Sequence, residues 1–203
     1  MAAYKRRRSG LVHERSGGPT EWYTPPLIFE ALGIEFDLDP CSPGPLVVPW
    51  IPARSHYTKA EDGLTRPWHG RVWMNPPYGP GIDRWLERFC EHRNGIALIF
   101  ARTDTQWFHT YAARAEAVCF TRGRIPFVSP ATLSDHCGGP GCGSVLLAYG
   151  NRCVEALRRS GLGLLIELCA AQPAGRRLHA TRRSRRDAAR TAQRQWEAGQ
   201  GIV

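Results

Sequence analysis

The chain has 203 residues, enough for one domain with a substantial core, and 42% are hydrophobic, as in an ordinary globular protein. It contains no run of about 18 apolar residues, and no apolar segment follows the basic start MAAYKRRRSG, so neither a membrane span nor a secretory signal is expected. A net charge of +9, from 27 Lys and Arg against 18 Asp and Glu, points to a polyanionic partner.

Residues 1–19, basic and then SGGP, read as a disordered N-terminus. The ordered domain is expected over 20–172. Leu27–Leu32 (LIFEAL) reads as a short helix entered through prolines and stopped by Gly33. In IEFDLDP, Ile34, Phe36 and Leu38 alternate as in a strand, and Pro40 ends it. Cys41 to Ser55 is proline-rich and aperiodic, hence loop, and so is Tyr57 to Trp68.

RVWMN, Arg71–Asn75, is a short apolar strand. Gly81–His92 is a helix with Ile82, Trp85, Leu86 and Phe89 on one face. GIALIFAR, Gly95–Arg102, is a strand apolar enough to be buried on both faces. Thr103–Ala115 is a second helix capped by Thr103 or Thr105. AVCFTRG, RIPFVS (Arg124–Ser129) and GSVLLAYG follow as strands, then a helix over Val154–Arg159. Leu162–Ala170 fits a helix or a last strand equally. The remainder, 173–203, is an arginine-rich tail with RRSRR among its residues, suited to phosphates or to solubility alone.

Strand and helix alternate, so an α/β fold is expected, with a mostly parallel sheet and antiparallel strands late in the chain. In such sheets ligands sit beyond the carboxyl ends of strands, where DLDPC and MNPPY both fall. The seven cysteines are odd in number and irregular in spacing, which favours a reducing compartment over a disulfide framework. His136, Cys137 and Cys142 supply two or three ligands where zinc takes four, so no metal is expected and a glycine-rich loop with free thiols is preferred.

The corner Asn75-Pro76-Pro77-Tyr78 carries the chemistry. Proline fixes the backbone and lacks an N–H, so the Asn amide oxygen and a proline carbonyl stand as two rigid acceptors with few competing donors. Two convergent acceptors suit an amino group with two hydrogens. Accepting both draws the nitrogen toward a tetrahedral shape and frees its lone pair. A tyrosine ring beside it offers a stacking face to a planar system. An amine on adenine or cytosine, or a planar amide, fits; the bland alternative is a turn closing a strand.

Asn75 to Tyr78 match the [D/N]-P-P-[Y/F] motif of amino-group methyltransferases. EWYTPP, FDLDPC, DGL, WHGRVWMNPPYG, ARTDTQWF, GRIPFV and GSVLL succeed one another from about Thr20 to Gly150. This succession resembles the phage-type DNA N-6-adenine methyltransferase family. The resemblance implies a Rossmann-like methyltransferase fold, S-adenosylmethionine as cofactor, double-stranded DNA as partner, and the bacterial cytoplasm in a phage or prophage setting. It implies that Asn75, Pro76, Pro77 and Tyr78 hold and polarise an adenine flipped out of the duplex. Asp39, Pro40 and Cys41 match the start of the cofactor loop. Thr24 and Pro25 match the segment that closes over the cofactor, and Asp62 and Gly63 the place of an acidic contact to its adenosine end. Arg102, Thr103 and Asp104 either border the pocket or cap a helix, and Trp22 and Tyr23 are pocket walls or core.

One departure stands out. Where the family loop places two glycines around one residue, this chain has Ser42, Pro43 and Gly44. The competing functions are therefore an amino methyltransferase of cytosine, RNA or protein glutamine, and a DNA-binding accessory protein with an inactive fold. Cofactor binding separates the last from the others.

Overall fold

The computed structural model describes residues 22–128 and 141–168. The N-terminal and C-terminal basic segments, most of the loop from Val128 to Gly143, and His136 and Cys137 of the weighed metal set lie outside the described residues. Five cysteines are described, Cys41, Cys90, Cys119, Cys142 and Cys153, and they form no disulfide among the described residues. Among the described residues no helix is long and apolar enough to cross a membrane.

The elements begin with helix α1 (Pro26–Leu32), entered through Pro25 and Pro26. Gly33 ends it in the left-handed conformation, φ 60°, donating its N–H to the Phe29 carbonyl. Strand β1 (Phe36–Asp39) follows, then β2 (Ala53–His56) and β3 (Val72–Met74). Helix α2 (Ile82–His92) buries Ile82, Trp85, Leu86, Phe89 and Cys90, the face its spacing predicts. Strand β4 (Gly95–Phe100) is buried at every position, as its unbroken apolar run requires. Helix α3 (Gln106–Tyr111) is capped by Thr105, whose hydroxyl accepts from the Phe108 N–H, and runs into a 3-10 turn, Ala112–Arg114. Strands β5 (Ala117–Thr121) and β6 (Ser144–Tyr149), helix α4 (Asn151–Ser160) and strand β7 (Gly163–Glu167) complete the described chain.

The strands form one sheet in the order β2-β1-β3-β4-β6-β5-β7. Strands β2, β1, β3 and β4 pair in parallel, whereas β4–β6, β6–β5 and β5–β7 are antiparallel. The sheet is therefore mixed, which corrects the expectation of a mostly parallel one. The connection from β5 to β6 sets β6 antiparallel between β4 and β5, and β7 then joins β5 antiparallel as the far edge. Within Leu162–Ala170, Gly163–Glu167 is strand rather than helix, and Cys169 and Ala170 lie outside the described residues.

Two further expectations are corrected. The stretch Cys41–Ser55 is not all loop: its end enters β2, an edge strand whose sequence ARSH is polar and half-exposed and so shows no apolar alternation. RIPFVS shows no strand over its described residues Arg124–Val128: a single antiparallel bridge joins Val128 to Tyr23, although Ile125, Phe127 and Val128 are buried.

Around the sheet, α1 packs with α4 and α2 with α3. Phe29 of α1 meets Trp73 edge-on at 4.7 Å, and Trp73 lies 5.5 Å from Phe36. These rings fix the parallel half of the sheet, whose strands end at the site.

Candidate active site

Asp39 is the last residue of β1 and Asn75 directly follows β3. The two strands are neighbours, with Leu38 in register with Val72. Adjacent strands lie about 4.8 Å apart, so the topology alone brings both loops to one edge. A cavity of about 520 Å³ opens there. Of the residues expected at a site, Thr24, Asp39, Pro40 and Cys41 line it, as do Asp62, Gly63, Asn75, Pro76 and Pro77. Trp22, Tyr23 and Trp85 also line it, so the first two serve as walls.

Asn75 is held from three directions. Its Nδ2 donates to the Trp22 carbonyl at 2.6 Å and to the Thr24 hydroxyl at 3.2 Å. A carbonyl can only accept, so this contact fixes which end of the amide is nitrogen. The Oδ1 accepts from the Tyr78 hydroxyl at 3.0 Å. That hydroxyl also lies 3.3 Å from the Leu98 carbonyl. One lone pair of Oδ1 remains for a ligand.

Tyr78 itself is placed differently from the stacking face its position suggests. It is buried, does not line the cavity, and lies flat on Phe100, centroids 3.4 Å apart and planes 6° from parallel. Burial pushes its phenol well above the usual range, so it stays a neutral donor. Its contribution in this arrangement is to brace Asn75. Pro25 also stands off the cavity, at the N-cap of α1. Arg102, Thr103 and Asp104 do not line it either; the Arg102 carbonyl instead accepts from the Thr105 side chain at 2.7 Å, in the turn that starts α3.

Asp39 is 2% exposed. Burial pushes its carboxyl up to about 7, against the Cys41 N–H, which donates to Oδ1 at 3.1 Å and draws it down. Burial, and then the neighbouring Asp39, push the Cys41 thiol well up, so it is a neutral lining group rather than a nucleophile. Gly63 is required sterically: a Cβ there would sit 1.8 Å from the Pro40 carbonyl oxygen. The two loops thus touch backbone to backbone. The Trp68 indole donates to the Gly63 carbonyl at 2.8 Å, and Trp68 stacks on the cavity-lining Trp85. Asp62 is exposed, has φ 50°, and accepts from the Leu64 N–H at 3.3 Å.

The unusual loop Ser42-Pro43-Gly44 has its own fixings. Ser42 Oγ accepts from the Gly44 N–H at 3.0 Å and lies 3.1 Å from His56 Nδ1. Burial lowers the pKa of His56, which favours the neutral ring. Gly44, φ 105°, supplies the left-handed turn. The serine thus ties the loop to β2 where the family pattern relies on glycine.

Sequence reasoning missed His56, Trp50 and Lys59. The Trp50 indole donates to the Thr24 carbonyl at 2.8 Å, and Lys59 lines the cavity. Trp50 and Lys59 lie in stretches read as featureless loop and His56 at the junction between them, where no periodicity marks a contact.

The fold is consistent with a Rossmann-like α/β protein, and its cavity lies at the carboxyl ends of neighbouring parallel strands. A family model described as DNA N-6-adenine-methyltransferase (Dam) matches residues 16–154, and the chain belongs to that family. The chain matches none of the curated proteins and none of the solved structures with which it was compared.

Proposed function

We propose that this protein transfers a methyl group from S-adenosylmethionine to the N-6 amino group of adenine in double-stranded DNA. The catalytic domain spans 20–172, and the basic segments 1–19 and 173–203 add sequence-independent attraction for phosphates. The observation that carries the reading is Asn75: a rigidly aimed amide at the mouth of a cavity, with one acceptor position left open.

The residues present fit the cofactor. A cavity of about 520 Å³ lies within the usual range for a small-molecule site. Aromatic walls at Trp22, Tyr23 and Trp85 suit an adenosine. Asp39 is a buried carboxyl that the Cys41 N–H, the Cys41 thiol and the Ser42 hydroxyl reach, three of its roughly four acceptor positions, which leaves one for a cationic group. Asp39, Pro40, Cys41, Asp62 and Gly63 would hold it, with Thr24 and Pro25 in the segment that flanks it. When bound, it supplies a methyl group on a positively charged sulfur, a strong electrophile.

The protein's own part is positioning. Asn75 Oδ1 and the Pro76 carbonyl accept the two hydrogens of the adenine amine, which turns its lone pair toward the methyl group. Tyr78 and Thr24 keep the Asn75 amide from rotating. Orientation of this kind can supply about 7–11 kcal/mol of a barrier, so no strong base is required. The amine proton leaves to water once the nitrogen carries the methyl group.

The test is methylation of unmethylated duplex DNA with methyl-tritiated S-adenosylmethionine, followed by digestion to nucleosides. Label is expected in N-6-methyladenine and is lost in Asn75→Ala. Label in cytosine instead would keep the mechanism and change the base. Cofactor binding without label in DNA would move the substrate to RNA or protein glutamine. Failure to bind the cofactor would overturn the enzymatic reading.

A further inference from the structure

Among the large apolar side chains that the described structure leaves exposed, Leu46 is extreme at 98%, with its neighbour Val47 at 38%. An apolar side chain held fully in water gains nothing for the free protein's stability. Its loop is nonetheless built stiffly. Pro43, Pro45 and Pro49 restrict the backbone. The Val47 and Val48 N–H groups both donate to the Gly44 carbonyl, at 3.0 and 3.1 Å, and Val48 is fully buried as an anchor. Ser42 and His56 hold one end of the loop, and Trp50, bonded to Thr24, holds the other.

The base of this loop lines the cavity through Ser42, Pro43 and Ile51, and its tip, Leu46 and Val47, stands outside that lining. A cation stands near the start of the loop. The Ser42 N–H donates to the Tyr57 carbonyl at 3.0 Å, and a Cβ on Gly44 would lie 3.6 Å from the Thr58 methyl. The next residue, Lys59, is exposed on the cavity rim and forms no ion pair among the described residues. An exposed apolar tip on a stiff loop whose base lines the cavity, together with an ammonium on the cavity rim, matches duplex DNA, with an apolar base stack edged by phosphates.

We propose that Leu46 is a wedge that enters the base stack of duplex DNA and fills the space left by the flipped nucleotide, while Lys59 holds a neighbouring phosphate. This rests on the reading of the cavity as an adenine pocket. Extruding a base loses its stacking and pairing, and an inserted apolar side chain recovers part of that loss by covering the exposed faces of the flanking bases. Leu46 is then a positioning residue for the substrate and touches no reacting atom.

The experiment uses the full chain. The target sequence is first mapped on unmethylated plasmid DNA. A duplex carrying it is then made in two forms, with the target adenine paired to thymine and with it opposite an abasic site, where flipping is cheap. Companion duplexes carry 2-aminopurine at the target. With wild type, 2-aminopurine fluorescence is expected to rise on binding. Leu46→Ala should lose most of that rise and methylate the paired target about tenfold more slowly or worse, because flipping is unassisted. Opposite the abasic site it should recover to near the wild-type rate, with affinity for S-adenosylmethionine unchanged, and Leu46→Phe should retain activity on both duplexes.

Wild-type behaviour of Leu46→Ala on the paired duplex would overturn the wedge, as would an equal loss on both duplexes. Weakened cofactor binding in Leu46→Ala would overturn it too and make the tip a cofactor cover. If wild type binds the cofactor but methylates no DNA, the adenine-methyltransferase reading itself fails, and the wedge with it. Lys59→Ala should weaken binding of both duplexes alike and lower the salt dependence by about one phosphate contact; unchanged salt dependence would remove Lys59 from the proposal.

Discussion

Replacing Gly63 by Ala tests whether the cavity depends on the contact between its two loops. The added Cβ would lie 1.8 Å from the Pro40 carbonyl oxygen and 2.8 Å from its carbon, whereas real Cβ atoms essentially never come under 3.0 Å. The loops must therefore part by about 1.2 Å. The Gly63 side resists movement: Trp68 holds its carbonyl, and the Arg88 guanidinium donates to the Leu64 and Arg66 carbonyls. The shift falls on Pro40 and carries Asp39 with it. Overpacking of this kind costs about 1–3 kcal/mol. For a domain of this size that lowers Tm by roughly 2–12 °C. A displacement of about 1 Å at a positioned group can cost about a hundredfold. Gly63→Ala is thus expected to fold, melt a few degrees lower, and bind S-adenosylmethionine at least about tenfold more weakly by calorimetry. Wild-type affinity together with wild-type Tm would refute the reasoning, since the loops would then tolerate separation freely.

Asp39 makes the protein's stability depend on pH. Its buried carboxyl sits at about 7 against an ordinary 3.8, so the fold retains a proton that the unfolded chain has lost between those values. The associated stability is complete below 3.8 and is lost as pH rises through 7, on the order of 4 kcal/mol for such a shift. Thermal melts from pH 4 to 8 should fall more steeply for wild type than for Asp39→Asn. A cationic cofactor favours the ionised carboxyl, so its affinity should decline as pH drops below 7 in wild type and stay flatter in Asp39→Asn, as titration calorimetry would show. Thr24→Val removes the hydroxyl that accepts from Asn75 Nδ2, a bond worth about 1 kcal/mol, and should lower kcat by several-fold with cofactor affinity little changed. Trp50→Phe keeps the ring but loses the bond to the Thr24 carbonyl; it should lower Tm slightly and slow methylation without altering the cofactor Kd. His56→Ala should weaken cofactor binding by freeing the Ser42 loop, and His56→Asn, which restores an acceptor, should recover part of it.

The residues that carry chemistry were legible because they sit where backbone rules act. Pro40 and the Pro76–Pro77 pair end two strands, and strand ends on parallel strands mark ligand edges, so Asp39 and Asn75 were found without any tertiary contact. Long apolar runs such as β4, and helical spacing such as that of α2, fixed their own elements. What escaped has a physical cause in each case. The edge strand β2 is polar because half of it faces water. Val128 is buried in a segment that pairs with Tyr23 across more than a hundred residues, and no local pattern records such a partner. The mixed sheet was missed because β5 and β6 are as apolar as parallel strands are. Tyr78 looked like a stacking surface because aromatic rings beside a pocket often are. Phe100, the end of β4, was needed to show the ring occupied.

The segment Trp22–Pro25 explains how so short a corner stays aimed. It lies across the carboxyl ends of β1 and β3, where no strand of the sheet could hold it, and is fastened instead by five hydrogen bonds to different parts of the chain. Trp22 and Thr24 accept from Asn75, Thr24 accepts again from Trp50, and Tyr23 and Val128 exchange a pair of backbone bonds. The same few residues therefore join the amide that would polarise the adenine to the loop whose tip is Leu46. A loop that engages DNA would pull on Trp50, and Trp50 on the Thr24 backbone, while the Thr24 hydroxyl sets the rotation of the Asn75 amide. The asparagine can be read from four letters of sequence. Tyr78 braces its oxygen from within the same corner, but the groups that hold its nitrogen, Trp22 and Thr24, lie more than fifty positions away, and this division makes Thr24 and Trp50 the places where aim can be altered while the acceptor itself is left intact.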